Sequence, residues 1–495
     1  MPDSMTLMTF GQCLKQILAE KKISASALAR MMELRSRNSL FRILDDTSGP
    51  AAQMTFYDQL IRKDCLTLTD EQRNMLLNAL EISRLGVDCY RSNMALHRLF
   101  TEAGQPRKNE PIRVQLRDGG EASLDRLMEE YASGKSLNMN ITGCCDRGIF
   151  EIIATYLLTQ DTRSKVSIRH YLYTGGDDII RAVTAVQPVL YSPNYKGYCV
   201  EPGGCSAERE QIFRGNNIGI QFIDKDGREH IHILALFEHR RFLLIDRCSE
   251  DSLNVFNEMV KDGVRWMRPI KSTFALYRNP EDYQDFMEVC GKLERGRTIY
   301  IVRRDIPVAF IHPDTVLPAI EESFHYAGYV PDDIQKKKLC DVQLGRFENF
   351  YRKSRPTHII FSQKEMLKFA QTGEQQSCFL ILRPYTPQER VSILSHIRVQ
   401  AEDNPYFNVY FFKPSFQPPD TEISLYEGKG VRFSRIDTCD QPSCDYAETL
   451  ITHKAFCEKY KAFFLKDLIV NQVIGREETL AFLDYLIEVA EQYKN

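Results

Sequence analysis

The spacing of apolar residues divides the chain into two parts. Up to about residue 102, apolar positions repeat at intervals of three and four, as in amphipathic helices. From about residue 136, short β-type runs such as LNMNITGC alternate with helical patterns such as DRGIFEIIATYLLTQ. Such alternation is typical of an α/β layer fold. The sequence therefore predicts a multidomain protein, in which an all-α N-terminal domain precedes a large α/β domain.

The first part carries several helix start and stop signals. Ser24 and Ser36 are each placed to cap the N-terminus of a short helix, and Gly49–Pro50 ends the third helix. Thr69 and Gln72 have the spacing of a capping box at the start of a longer helix. Three short helices with tight links are what a helix-turn-helix motif requires.

The stretch LKQILAEKKISASALARMMELRSRNSLFRIL resembles the phage-repressor (XRE-type) helix-turn-helix family of transcriptional regulators. Two features depart from the family pattern: the glycine of the turn is replaced near Glu33–Leu34, and the turn is one residue longer. The resemblance implies a DNA-binding domain over residues 1–105. The positions that match the family pattern are Ile23, Ser24, Ser26, Leu28, Ala29, Arg42, Ile43 and Leu44.

The charge of the third helix favours the same interpretation. Residues 30–42 contain four arginines and one acid, a local balance of 4 − 1 = +3. Arginine can hold phosphate or pair with guanine, and asparagine can pair with adenine. The alternative is a small helical bundle with a solvated basic face. The residues predicted to read bases are Arg35, Ser36, Arg37, Asn38 and Ser39, and Arg42 is predicted to hold phosphate.

Beyond residue 105 the pattern predicts five segments. A polar stretch rich in glycine and proline suggests a linker, and a weak internal repeat suggests two related α/β halves. The predicted ranges are a linker at 106–135, a first half at 136–265, a connecting segment at 266–356, a second half at 357–440 and C-terminal helices at 441–495.

One motif in each half suggests a specific fold. The stretch HRRFLLID gives H-x-R-x4-D at His239, Arg241 and Asp246, and ISLYEGKGVRFSRID aligns Arg432 with Arg241 and Gly430 with His239. Two halves that each end in such a hairpin resemble the phospholipase D superfamily, whose motif is H-x-K-x4-D. The resemblance implies two catalytic histidines, one as nucleophile and one as general acid.

That chemistry is not expected here, because Gly430 can neither attack phosphorus nor donate a proton. The motif is interpreted as a structural relic or as the wall of a ligand pocket. Ordinary surface charges at a strand end are the alternative. The candidate residues for binding a small anion are His239, Arg241, Lys429 and Arg432.

Other chemistry is weakly indicated. His230, His232 and His239 lack acidic or cysteine neighbours at metal-ligand spacing, so neither a metal nor a cofactor is predicted. The net charge is −3, and no run of 18 apolar residues or basic-then-apolar leader is present. A cytoplasmic protein without a membrane partner is expected.

These observations together predict a DNA-binding transcriptional regulator, a repressor-type protein that binds double-stranded DNA as a homodimer. Its α/β domain would be catalytically inactive and would sense a ligand or mediate dimerisation. Two alternatives stay open: a phospholipase D-like phosphodiesterase or nuclease, and a repressor whose large domain binds a protein partner.

Overall fold

The fold is taken from a computed structural model, in which the chain forms two compact units, Met1–Ala95 and Leu96–Asn495. Within the described residues, no helix is both long and apolar enough to cross a lipid bilayer. The structure describes residues 8–34, 36–101, 112–116, 121–132, 134–143, 146–159, 165–173, 179–190, 192, 194–200, 217–238, 241–246, 264–265, 267–271, 280–326, 328–351, 354–375, 382–416, 421–435 and 447–493.

The described residues of the first unit form helices joined by short turns. Its core is formed by the apolar stripes of the first five helices, as their three-and-four spacing predicts. The capping signals at Ser24 and at Thr69–Gln72 are confirmed, whereas Pro50 begins the fourth helix instead of only ending the third. The helices are α1 (Phe10–Glu20), α2 (Ala25–Met31), α3 (Arg37–Leu44), α4 (Pro50–Lys63), α5 (Asp70–Leu85) and α6 (Val87–Thr101), the last of which continues past the end of the unit.

The second unit begins with a nine-stranded mixed sheet. Its strand order is β2-β1-β8-β7-β6-β3-β4-β5-β9. The elements are β1 (Arg113–Gln115), β2 (Glu121–Ser123), α7 (Leu124–Ala132), β3 (Ser136–Thr142), α8 (Arg147–Thr159), β4 (Lys165–Tyr173), α9 (Ile179–Val186), β5 (Tyr195–Val200), β6 (Asn217–Ile223), β7 (Glu229–Glu238), β8 (Arg241–Asp246) and β9 (Val264–Arg265).

A seven-stranded sheet follows, with the order β10-β16-β15-β14-β11-β12-β13. Its elements are β10 (Met267–Lys271), α10 (Pro280–Glu294), β11 (Ile299–Arg303), α11 (Pro313–Tyr326), α12 (Asp333–Tyr351), β12 (Thr357–Phe361), α13 (Gln363–Thr372), α14 (Pro387–Asp403), β13 (Phe407–Phe411), β14 (Thr421–Tyr426), β15 (Gly430–Arg435), β16 (Ala447–Ile451), α15 (Lys454–Phe463), a π-helix (Phe464–Gln472) and α16 (Arg476–Gln492).

The two sheets contain the same six-stranded pattern. In the first sheet, β3, β4 and β5 are parallel, and β6, β7 and β8 follow as an antiparallel meander on the other side of β3. In the second, β11, β12 and β13 are parallel, and β14, β15 and β16 form the same meander beside β11. The same six-stranded topology therefore occurs twice in the large unit.

The register of that repeat differs from the prediction by one strand. Because β14 pairs with β11 as β6 pairs with β3, the counterpart of hairpin β7–β8 is β15–β16. The predicted match of β14–β15 with β7–β8, and with it the alignment of Arg432 with Arg241, is wrong. The second half also starts earlier than residue 357, since the predicted connecting segment 266–356 supplies β10 and β11 to the second sheet.

The predicted linker is wrong across its described part. Strands β1 and β2 and helix α7 fall within 106–135, and β1 pairs in parallel with β8 at the edge of the first sheet. Val114 and Leu124 are almost fully buried there, so this stretch belongs to the core. The predicted C-terminal segment is helical, but it also contributes β16.

Candidate nucleic-acid interface

Helix α3 is held on the first unit by one apolar stripe. Leu40, Ile43 and Leu44 are each at most 5% exposed and pack in one core with Leu28 and Ala29 of α2. Residues three and four apart share a helix face, so this stripe leaves the opposite face of α3 pointing away from the core. The exposed positions of α3 are therefore fixed by packing.

The turn between α2 and α3 contains a left-handed residue. Glu33 has φ of +52°, a backbone conformation that glycine adopts at little cost and other residues rarely adopt. The side chain of Lys63 holds this turn, because its Nζ lies 2.6 Å from Glu33 Oε2 and donates to the Met32 carbonyl oxygen at 3.0 Å. The glycine expected from the resemblance to phage repressors is thus replaced by Glu33, whose side chain pairs with Lys63 of α4.

The predicted reading residues fall on the exposed side of α3 where they are described. Arg37, Asn38 and Arg42 are all exposed, and Asn38 and Arg42 lie one turn apart opposite the buried stripe. Arg35 lies outside the described residues.

The two predicted serines are placed differently from one another. Ser36 occupies the N-cap position as predicted, but its side chain makes no capping hydrogen bond. The Ser39 hydroxyl donates to the Ser36 carbonyl oxygen at 2.6 Å, so it is already engaged within the helix. Ser36 is consequently the better placed of the two for an external contact.

The exposed arginines of this surface form no ion pair with the carboxylates that the structure describes nearby. Glu33 pairs with Lys63, and Asp45 pairs with Lys15 at 2.9 Å. Across the described part of the chain, no carboxylate oxygen lies within 4 Å of a guanidinium nitrogen of the exposed arginines of this surface. These are Arg30, Arg37 and Arg42.

Phe41 is a feature of this face that the sequence prediction missed. Its side chain is 45% exposed and lies three residues after Asn38, on the same side of α3. The signal was present in the sequence, because Phe41 lies off the stripe formed by Leu40, Ile43 and Leu44. It was overlooked because aromatic residues are usually assigned to the core.

The predicted anion-binding residues of the large unit are not gathered at one place in the described structure. His239 lies outside the described residues, and Arg241 starts β8, in the first sheet. Lys429 is exposed in the turn between β14 and β15, and Arg432 lies on β15, in the second sheet. In the first sheet, five strands lie between β8, which carries Arg241, and β9, which precedes the second sheet in the chain.

Arg432 is buried and paired, which corrects the expectation that it binds a ligand. It is 6% exposed; its Nη1 donates to Cys290 Sγ at 3.1 Å, and its Nε lies 3.6 Å from Glu448 Oε1. Burial raises the pKa of the Cys290 thiol to about 11, against the opposing effect of two nearby arginines, so the thiol is neutral at physiological pH.

Two more ion pairs surround the same small cavity. Arg303 Nη2 lies 2.6 Å from Glu422 Oε1, and Arg346 makes a bidentate contact with Glu294. The cavity is about 20 Å³, which is enough for a single water molecule. Because each lining arginine already has a carboxylate partner, this cluster ties the helices to the sheet and has no spare charge for an anion.

The histidines of β7 have separate partners. His230 Nε2 lies 2.8 Å from Asp224 Oδ2, and His232 Nδ1 lies 2.9 Å from the Tyr131 hydroxyl. Within the described residues, no group of three or more histidine, cysteine, aspartate or glutamate side chains could hold a metal ion. The contacts of His230 and His232 therefore hold the β6–β7 turn and helix α7, respectively, against the first sheet.

Comparison with known proteins found no family model, no curated protein and no solved structure that matches the chain. The assignment of a function therefore depends on the geometry and charge of the surfaces described above.

Proposed function

We propose that this chain is a DNA-binding transcriptional regulator whose first unit reads double-stranded DNA through α3. The observation that carries the proposal is the exposed surface of α3, which presents Arg37, Asn38 and Arg42 and where these arginines form no ion pair with a carboxylate of the described residues. These are the side chains that pair with guanine, adenine and phosphate. A helix-turn-helix of the phage-repressor type is supported by the packing of α2 against α3 across the turn at Glu33.

The large unit is proposed to be a phospholipase D-like module without catalytic activity. The duplicated strand order supports the two related halves. The counterpart of the loop at His239 is the connection from β15 to β16, residues 436–446, and its sequence IDTCDQPSCDY contains neither histidine nor lysine. A phosphodiesterase of this kind needs a second histidine to protonate the leaving group, so ligand sensing or dimerisation is the better proposal.

A homodimer is part of the proposal. A single module of about 95 residues covers about one half-site, and tight operator binding usually requires two. The expected site is a palindrome, and the expected mass at micromolar concentration is that of two chains. A monomeric mass together with a non-repeated site would contradict the dimer.

The proposal is tested by recovering genomic fragments bound to the purified full-length chain and asking whether one palindrome is enriched. The double variant Arg37→Ala/Asn38→Ala should then bind that site more weakly, by about 1–3 kcal/mol for each base that the truncated side chains no longer reach. Arg42→Ala should weaken all sequences equally and should lower the slope of log affinity against log salt by about one.

The matched control is Arg126→Ala, which removes one exposed positive charge from α7 in the large unit. It should leave the affinity unchanged. If no sequence is enriched, or if the double variant binds as tightly as the parent, α3 is not the reading helix.

A further inference from the structure

Phe41 is an unusual residue for the exposed side of a charged helix. Nearly half of its side chain is open to solvent, although Leu40, Ile43 and Leu44 already complete the apolar stripe that holds α3. Single exposed apolar residues are common on protein surfaces and need no explanation. Phe41 differs in position, because it lies beside Asn38 on the exposed side of α3, where the exposed arginines form no ion pair with a carboxylate of the described residues.

The chemistry of DNA offers one apolar partner for such a side chain. In the major groove, the thymine 5-methyl group is the apolar feature of the base edges, and phenylalanine is among the residues that contact it. The phosphate groups are charged and offer no apolar surface to an aromatic ring. The surrounding arginines are complementary to the charge of DNA and would bring the ring into the groove.

The spacing along α3 also fits. Asn38 and Phe41 are three residues apart, which is about 4.5 Å along the helix axis at 1.5 Å per residue. Base pairs are spaced by about 3.4 Å. A thymine methyl at Phe41 would thus belong to the same base pair as the base at Asn38, or to the next one.

We infer that Phe41 reads the 5-methyl group of a thymine in the base pair read by Asn38 or in the adjacent base pair. The inference rests on the proposed function, since it names the base that this site prefers. Burial of one methyl group is worth about 0.8 kcal/mol, which corresponds to an affinity difference of about four-fold. The expected preference is for thymine over deoxyuridine, which differs from thymine only in lacking that methyl group.

The experiment uses the full-length chain and the palindrome enriched from genomic DNA. Each thymine of a half-site is replaced in turn by deoxyuridine, and affinity is measured by fluorescence anisotropy. With the parent protein, replacement at one position should weaken binding about four-fold. With Phe41→Ala the same replacement should have no effect, whereas Phe41→Leu should keep part of the preference. The control Met31→Ala removes an apolar side chain that is 44% exposed at the end of α2, and it should keep the full preference.

The outcomes separate this inference from the proposed function. If a palindrome is enriched but no thymine replacement weakens the parent protein, or if Phe41→Ala keeps the four-fold preference, the inference is overturned and DNA binding by α3 stands. If no DNA sequence is enriched at all, the proposed function itself fails. The test on the parent protein needs no variant, so a folding defect in Phe41→Ala cannot obscure the result.

Discussion

The buried ion pair between Arg346 on α12 and Glu294 on α10 gives the sharpest prediction for the large unit. Arg346 Nε lies 2.9 Å from Glu294 Oε2, and Nη2 lies 2.5 Å from Oε1. The exposed fractions of the two side chains are 9% and 0%. Replacing Arg346 with Met removes the cation and leaves a fully buried carboxylate, a change that typically costs about 3–5 kcal/mol.

The double variant Arg346→Met/Glu294→Leu should behave differently. Replacing a whole buried pair by apolar residues of similar size is often neutral, or stabilising by about 1–4 kcal/mol. Met287 lies beside the pair, with its Sδ 2.7 Å from Arg346 Nη1, so an apolar neighbour is already present for the new side chains. The single variant should therefore be much less stable than both the parent and the double variant.

The assay is urea unfolding of the full-length chain. Trp266 is the only tryptophan and lies in sequence between β9 and β10, so its fluorescence reports on the large unit, while circular dichroism reports on both units. The two signals should be analysed as separate transitions, because a protein of two units need not unfold in one step. A destabilisation below about 1 kcal/mol in Arg346→Met, or an equal destabilisation in the double variant, would show that the buried charges are not coupled in the way described.

Two further predictions concern the turn at Glu33 and the aromatic stack at His358. Glu33→Gly should leave the first unit about 1 kcal/mol more stable than Glu33→Ala in thermal unfolding. Both variants lack the ion pair to Lys63, but only glycine adopts the left-handed backbone conformation without strain. Equal stabilities of the two variants would mean that the backbone at residue 33 is not strained. His358 stacks between Tyr300 and Tyr410, and burial lowers its pKa to about 4 from 6.5. The unfolded chain therefore binds a proton more readily than the folded chain between these values, so stability falls as pH falls from 7 to 5, by about 1–2 kcal/mol at this site. His358→Phe should lack that part of the pH dependence in urea titrations at the two pH values, and an unchanged pH dependence would contradict the shift.

The local features of the fold were predictable from the sequence. The caps at Ser24 and Thr69 and the apolar stripe of α3 depend on residues within one or two turns of each other, so spacing alone identifies them. Several strands of the large unit, such as β3 and the hairpin β7–β8, were recognisable for the same reason. The alternation of Ile112 and Val114 with polar residues was outweighed by the neighbouring glycines and prolines, which suggested a linker.

Long-range pairing was not predictable in the same way. Hairpins β7–β8 and β14–β15 look alike in sequence, but the strand to which each meander attaches is decided by pairing between residues far apart in the chain. The run TIYIVR, which forms β11, is the counterpart of β3 and was not recognised as a strand of the second half. Two helices separate β11 from β12, whereas one helix separates β3 from β4, so the two segments do not look alike in the sequence. Likewise, spacing cannot reveal that Arg432 is buried against Glu448, because its partner is supplied by the next strand.

The buried ion pairs of the second half have a consequence for how its helices find the correct sheet during folding. A duplicated topology invites exchange, in which a helix of one half docks on the sheet of the other during folding. In the first sheet, the almost fully buried positions Ile218, Ile220 and Leu234 are apolar and offer no ion-pair partner to a buried carboxylate such as Glu294. In the second half, Glu294 of α10 pairs with Arg346 of α12, and Cys290 of α10 accepts a hydrogen bond from Arg432 of β15. The buried ion pairs of the second half therefore favour docking of α10 in that half over docking of α10 on the first sheet.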